Sequence, residues 1–291
     1  MAKVLSIYKK IDSLRSRYYK IALHKEQLIK IISESEISEN VYNSNAIENS
    51  TLTLEETDKI LHEINCDRFI SAREMFEAKN LARVVSYIDK KAKEEELNIN
   101  LVLFLHKILL SNINDDIAGR FRKDNEFVRV GSHIAPNPKE VLKRLEDMFV
   151  EYNSTPSENI IKRLAKFHLV FEYIHPFCDG NGRIGRVLTN YLLLREGYVP
   201  INIKFVDRDE YYKAFREFDF DKKTNTIEKI IGKALTSSYY KRLAYLEGNE
   251  IISLSEYARR KRLSYPNLIN KAKRQTIEAF LEKGDWKIAL S

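Results

Sequence analysis

Along residues 4–32 the apolar positions Val4, Ile7, Tyr8, Ile11, Leu14, Tyr18 and Ile21 recur at intervals of three and four, with lysines and arginines between them. That spacing lines one face of an α-helix and predicts a single long amphipathic helix. The stretch 33–53, SESEISENVYNSNAIENSTLT, then turns polar, and its Val41, Tyr42, Ala46 and Ile47 support one short helix. Thr53-Leu54-Glu55-Glu56 sets a capping threonine ahead of two acids, which predicts a helix start. Helices are predicted over 54–65, 71–95 and 98–111. The pattern changes at 113–138, where β-formers around Phe127, Val128 and Val130 are followed by Gly131, Pro136 and Pro138. A hairpin or extended flap is predicted there. Helical spacing resumes at 138–151 and 157–173, and again in the strongly apolar RVLTNYLLLREG, which Gly197 stops. Two more helices fit 208–218 and 226–247.

The tail from about residue 250 differs again. Two short helical patterns flank Leu-Ser-Tyr-Pro, and AFLEKGDWKIAL alternates around Lys283-Gly284-Asp285, a turn signal. Helix, turn, helix and a small β-wing is the natural reading. The fold class is therefore mainly α: a helical bundle with a short β-hairpin flap and a small C-terminal winged helix-turn-helix-like domain. Three parts are expected: an N-terminal helical region at 1–97, a core at 98–247 and the tail domain at 249–291.

Composition alters this picture little. With 291 residues, 44% hydrophobic and 31% charged, the chain has the profile of a globular protein with a good core. The N-terminus has lysines at 3, 9 and 10 and no unbroken apolar core, so no signal peptide is expected, and no run of about 18 apolar residues suggests a membrane span. Cys66 and Cys178 are the only cysteines, which argues against a disulfide scaffold and fits a cytoplasmic location. The formal charge of +7 suits an anionic partner, nucleotide or nucleic acid, and equally suits mere solubility. Residues 249–291 hold nine Lys/Arg against five Asp/Glu, a net +4.

The chemistry is concentrated at 174–186, IHPFCDGNGRIGR. Only nine glycines occur in the chain, and Gly180, Gly182 and Gly185 lie here. A glycine-rich loop opening a helix is an anion site, because backbone N–H groups point inward and the helix end adds partial positive charge. Arg183 and Arg186, three apart, share a face near the first turn, where the dipole disfavours cations, so an anion accounts for them. Two arginines with backbone amides match a polyphosphate better than a single carboxylate. Asp179 is the lone carboxylate suited to Mg²⁺ beside phosphates, and His175 is the proton acceptor. Together they describe phosphate-group transfer to a hydroxyl. A tight connection between two helices would explain any one of these residues but poorly explains all of them. No Walker loop is present, and no strand pattern precedes the glycines as a Rossmann fingerprint requires.

HPFCDGNGRIGR matches H-P-F-x-[D/E]-G-N-G-R-x-x-R, and on this motif the chain resembles the Fic family, whose typical activity is protein AMPylation. The resemblance extends to 118–138, similar to the family's substrate-clamping flap, and to RVLTNYLLLREGYVPINI and DRDEYYKAF, covering roughly residues 40–245. It implies that His175 deprotonates the target hydroxyl, Phe177 anchors the loop and Asp179 holds Mg²⁺. Gly180, Asn181 and Gly182 would bind the α- and β-phosphates, Arg183 would clamp the phosphates and Arg186 would take the γ-phosphate. AMP would pass from ATP to Ser, Thr or Tyr of a target protein, releasing pyrophosphate. Val130, Gly131, Ser132 and His133, with Tyr211 and Tyr212, match positions lining the nucleotide site in relatives. Asp219 falls where relatives often have asparagine.

A second motif, SNAIEN at 44–49, resembles the family's inhibitory pattern [S/T]-x-x-x-E-[G/N]. Ser44 and Glu48 are four apart and share a helical face, so Glu48, next to Asn49, is placed to pair with an arginine of the anion loop. If that arginine is Arg186, the γ-phosphate loses its clamp. In some relatives the same glutamate activates water to remove AMP, so de-AMPylation is an alternative main activity. His24, His62, His106 and His168 have no metal-ligand spacing and read as ordinary helix residues. A DNA-binding regulator acting through Arg259, Arg260, Lys261, Arg262, Lys271, Lys273 and Arg274 is the other alternative. A second copy of the chain is a further candidate partner.

Overall fold

The computed structural model describes residues 2–130 and 133–290. Helices dominate, and the chain divides into two compact units, residues 37–230 and residues 1–36 with 231–291. None of the helices among the described residues is long and apolar enough to cross a membrane.

The N-terminal helix differs from expectation. It is broken into α1 (Ala2–Ala22) and α2 (Glu26–Ile47), with His24 left-handed at φ 61° between them. Leu23 and Ile31 continue the apolar periodicity yet stay exposed, while Ile32 is buried, so the change of direction selects which residues reach a core. α2 also runs through the stretch whose polarity predicted only a short helix. Ser38, Glu39, Asn43, Ser44 and Asn45 are all buried, and several have partners distant in sequence. Glu39 meets Lys204 at 2.6 Å, and Asn43 Oδ1 accepts from the Phe205 backbone N–H.

The larger unit continues through α3 (Leu54–Leu61) and α4 (Ala72–Lys91). Both open on capping boxes, Thr53 with Glu56 and Ser71 with Glu74. α5 (Ile99–Leu110) follows, and α6 (Val141–Ser154) packs on α7 (Ile160–Ile174); α4, α5 and α7 lie against α8 (Asn181–Arg195), which is buried along almost its whole length. α8 ends at Gly197, whose φ of 72° lets the Tyr198 N–H reach back to the Leu193 carbonyl. α9 (Arg208–Asp221) follows. The flap hairpin forms as two short antiparallel strands, β1 (Arg129–Val130) and β2 (His133–Ile134), with Arg129 opposite Ile134.

α10 (Asn225–Leu246) leads from the larger unit into the smaller one. There Ile7 of α1 packs so closely on Gly232 that a Cβ at that position would clash with it. The tail carries β3 (Ile251–Ser253), α11 (Leu254–Lys261), α12 (Tyr265–Lys273), β4 (Ala279–Glu282) and β5 (Asp285–Ala289). The strands form an antiparallel sheet in the order β3-β5-β4. The strand before α11 was not foreseen, because its apolar pair Ile251-Ile252 is too short to show alternation. Its core is Ile252, Leu254, Ala258, Leu268, Ala272, Ala279 and Ile288.

Candidate active site

The loop between α7 and α8 is fixed by its own Asn181 and by contacts from α5 and from residues 119–122. α7 stops at His175, which adopts φ 49°. Phe177 is fully buried and its ring stacks on His106 at 3.7 Å and 5°. Both polar ends of the Asn181 side chain close on Phe177: Oδ1 accepts from its N–H and Nδ2 donates to its carbonyl. Asn181 thus clamps the loop with its side chain and leaves only its backbone for an anion. The Gly119 N–H donates to His106 Nδ1, so Nε2 carries the ring proton and donates to the Asp179 carbonyl at 3.0 Å. Arg122, also buried, donates to the carbonyls of Glu126, Pro136, Ile174 and His175, tying the flap base to the loop. Gly180 sits at φ 80° against Leu109 and Leu110, and no side chain caps α8 there. The N–H groups of the first helical turn are left for an incoming acceptor.

Around this helix end lie two sets of charges. Arg183 is only 4% exposed, with Asp179 at 3.0 Å and Glu77 at 3.4 Å. Arg73 closes the ring by touching Asp179 at 3.0 Å and Glu77 at 3.1 Å. Arg186 lies deeper and is gripped by α2: Nε donates to Ser44 Oγ at 2.9 Å and a terminal nitrogen to the Ser44 carbonyl at 2.8 Å. Its other terminal nitrogen donates to Glu48 Oε1 at 2.9 Å and to Tyr211 Oη at 3.3 Å. Burial works against the charge on Arg186, but Tyr211 and Glu48 more than offset it and hold its pKa above the ordinary value. The Glu48 carboxylate also fills the space beside Gly182 where a Cβ would fall. Asn49, left-handed at φ 69°, accepts from Arg208 through its side chain.

Tyr211 is buried beneath Arg186. Thr189 Oγ1 donates to the Gly185 carbonyl, so it accepts from His168 Nδ1–H. His168 Nε2 then accepts from the Tyr211 hydroxyl at 2.7 Å, and Tyr211 presents its oxygen to Arg186. Tyr212 donates to the Ile47 carbonyl. In the flap His133 contacts the Tyr173 carbonyl at 2.9 Å and lies 4.0 Å from Asp219. Val130 pairs with His133, whereas Gly131 and Ser132 lie outside the described residues.

Sequence reasoning missed His106, Arg122, His168 and Glu172. Glu172 is buried beside Gly185, with Oε1 lacking a partner and Oε2 3.9 Å from His175 Nδ1. Burial, then Glu48, pushes its carboxyl up to about 8, so it is protonated at neutral pH. Burial drives His175 down to about 4, His106 to about 4 and His168 to about 3.

These shifts set an expected pH dependence of stability. Below the ordinary value of about 6.5 each of the three histidines takes up a proton on unfolding, which favours the unfolded chain as pH falls. Glu172 acts oppositely: between its ordinary value and about 8 the folded chain holds the proton, so its contribution favours folding as pH falls. Three protons against one leave a net loss. The thermal midpoint should therefore fall between pH 7 and pH 5, above the carboxylate range; a flat profile there would overturn the assignment of these histidines as buried and neutral.

A lone Asp, a His, buried arginines and an uncapped, glycine-opened helix N-terminus define a helical domain built around a loop suited to an anion. Residues 96–193 match the model of the Fic/DOC family. That stretch of the chain carries a Fic domain. The chain is 31% identical over 213 residues to a protein adenylyltransferase Fic of Nematostella vectensis, covering 72% of this chain and 49% of the relative. With its namesake from Drosophila willistoni it shares 35% over 179 residues, 60% of this chain and 35% of the relative. The chain thus spans about half or less of these curated relatives. A Fic domain-containing signaling protein of Bacteroides thetaiotaomicron superposes with a TM-score of 0.74 at 23% identity, over 82% of this chain and 97% of the other. That likeness concerns the fold.

Proposed function

We propose that this protein transfers AMP from ATP to a Ser, Thr or Tyr hydroxyl of a target protein, in a Mg²⁺-dependent reaction held in check by Glu48. The observation that carries the reading is the seating of Glu48 on Arg186 and against Gly182, at the mouth of an otherwise open helix N-terminus. Backbone N–H groups at 180–182 and the Arg183 guanidinium hold the α- and β-phosphates, and Arg186 takes the γ-phosphate once Glu48 has left. His175 Nδ1 lies against the Glu172 carbonyl at 3.3 Å, which leaves Nε2 to accept the proton. The target oxygen attacks the α-phosphorus, its proton passes to His175 Nε2, the bond to the β-phosphate bridging oxygen breaks and pyrophosphate departs.

Among the described residues no three acidic, histidine or cysteine side chains cluster to hold a metal unaided. Asp179, a single partly exposed carboxylate, fits Mg²⁺ only in company with phosphate oxygens, which is the usual arrangement for that ion. Held there, the ion would supply positive charge against the charge that builds on the phosphates. Glu48 is also a candidate base for water in the reverse removal of AMP.

The test uses Glu48→Gly with a mixed pool of target proteins and ATP labelled at either the α- or the γ-phosphorus. Protein-bound label should come from the α position alone, with one pyrophosphate released per transfer. Label from the γ position would make the protein a kinase and sink the reading. Loss of pre-attached AMP, faster with Glu48 in place, would put the reverse reaction first.

A further inference from the structure

We propose that the α11–α12 surface of the tail binds duplex DNA, with α12 laid in the major groove. Charge is unevenly distributed there. Glu250 and Glu256 pair with Arg260, Glu278 with Arg17, and Glu282 with Lys241 and Lys287. Four of the five acids in this segment are thereby engaged in ion pairs within the unit. Lys261, Arg262, Lys271, Lys273 and Arg274 are exposed, with no carboxylate partner among the described residues. The tail's unpaired cations therefore lie at the end of α11 and along the last turn of α12.

The faces of α12 are equally divided. Leu268 and Ala272, four apart, enter the core. Asn267, Asn270, Lys271 and Arg274 follow at i, i+3, i+4 and i+7 on the opposite side, and all are exposed. Asparagine is the side chain that pairs bidentately with adenine in the major groove, and lysine and arginine meet guanine or phosphate. A helix of nine residues is about 13 Å long, close to the groove's ~12 Å width. α11 precedes it after a three-residue turn and adds Lys261 and Arg262 where a helix crossing the backbone would meet phosphates. An acidic protein partner would suit the cations but has no use for a pair of asparagines at base-reading spacing.

Fluorescence anisotropy of the full chain with a labelled 20-base-pair duplex tests this. Binding should be measurable at 50 mM salt and weaken by about 40- to 500-fold at 200 mM, as three to five phosphate contacts require. Lys271→Glu with Arg274→Glu should weaken it more than tenfold at 50 mM salt. Both positions are exposed, so an unchanged circular dichroism spectrum certifies that the variant folds. Asn267→Ala with Asn270→Ala should retain affinity for random duplex and lose enrichment of any sequence from a randomised pool. No binding at 50 mM salt, binding indifferent to the charge reversal, or tighter binding to single-stranded RNA of the same length would each overturn the proposal.

Discussion

Replacing Glu48 with glycine is expected to raise AMP transfer by roughly 10- to 100-fold. The estimate follows from one charge-assisted hydrogen bond, ~1.5–3 kcal/mol, that must be broken before Arg186 can meet a phosphate, at about 1.4 kcal/mol per factor of ten. Glu48 is a third exposed, so solvent screening keeps the value in the lower part of that range. The carboxylate acts in two ways. It holds the Arg186 guanidinium at 2.9 Å, and it occupies the space left by the missing side chain of Gly182. Glu48→Gln retains the bulk and loses the charge, so its activity should lie between wild type and the glycine variant. Ser44 keeps its two bonds to Arg186 in both variants, and α2 already ends at Ile47, so the loss of stability should not exceed that one bond, about 1.5–3 kcal/mol. Initial rates with labelled ATP decide the matter: equal rates for wild type and Glu48→Gly would remove the brake from this site.

The loop and the Ser44–Glu48 face that meets Arg186 were unevenly legible in the sequence. Residues 175–186 could be read because their chemistry is contiguous: a base, a carboxylate, glycines and two arginines within one turn of chain. Ser44 and Glu48 could be placed on one face because four residues is a helical repeat. The path of α2 could not, since its polar residues are buried by partners far away in sequence, such as Arg186 for Ser44, 142 residues distant. Periodicity registers hydrophobic burial and is blind to this kind. The same limit hid Arg122, whose partner His175 lies 53 residues on, and His106, whose role is to hold one carbonyl of Asp179. His168 looked ordinary because nothing local shows that it links Thr189 to Tyr211. Tyr211 was expected to line the nucleotide site, and the structure places it underneath Arg186.

His175→Ala in the Glu48→Gly background should remove about 10²- to 10⁴-fold of the transfer rate, the usual worth of a positioned general base. ATP binding should be retained, because backbone amides and arginines hold the phosphates and the imidazole does not. Arg122 donates to the His175 carbonyl and Phe177 is fixed by Asn181, so the loop keeps its shape when the ring is removed. A calorimetric titration of ATP into the double variant separates this from collapse of the site: binding with no transfer marks the base, and lost binding marks a disordered loop. The depressed pKa adds a second signature. At about 4, His175 is fully neutral at both pH 7.5 and pH 6. An imidazole at its ordinary value would be about three-quarters protonated at pH 6 and would lose activity in proportion. Since Glu48 is one of the influences raising the His175 value, its removal pushes the ring further toward neutrality. The Glu48→Gly enzyme should therefore lose less than about twofold between those pH values. A fourfold fall would mean that the proton acceptor sits in a more open environment than the one enclosed by Glu172, Arg122 and His133.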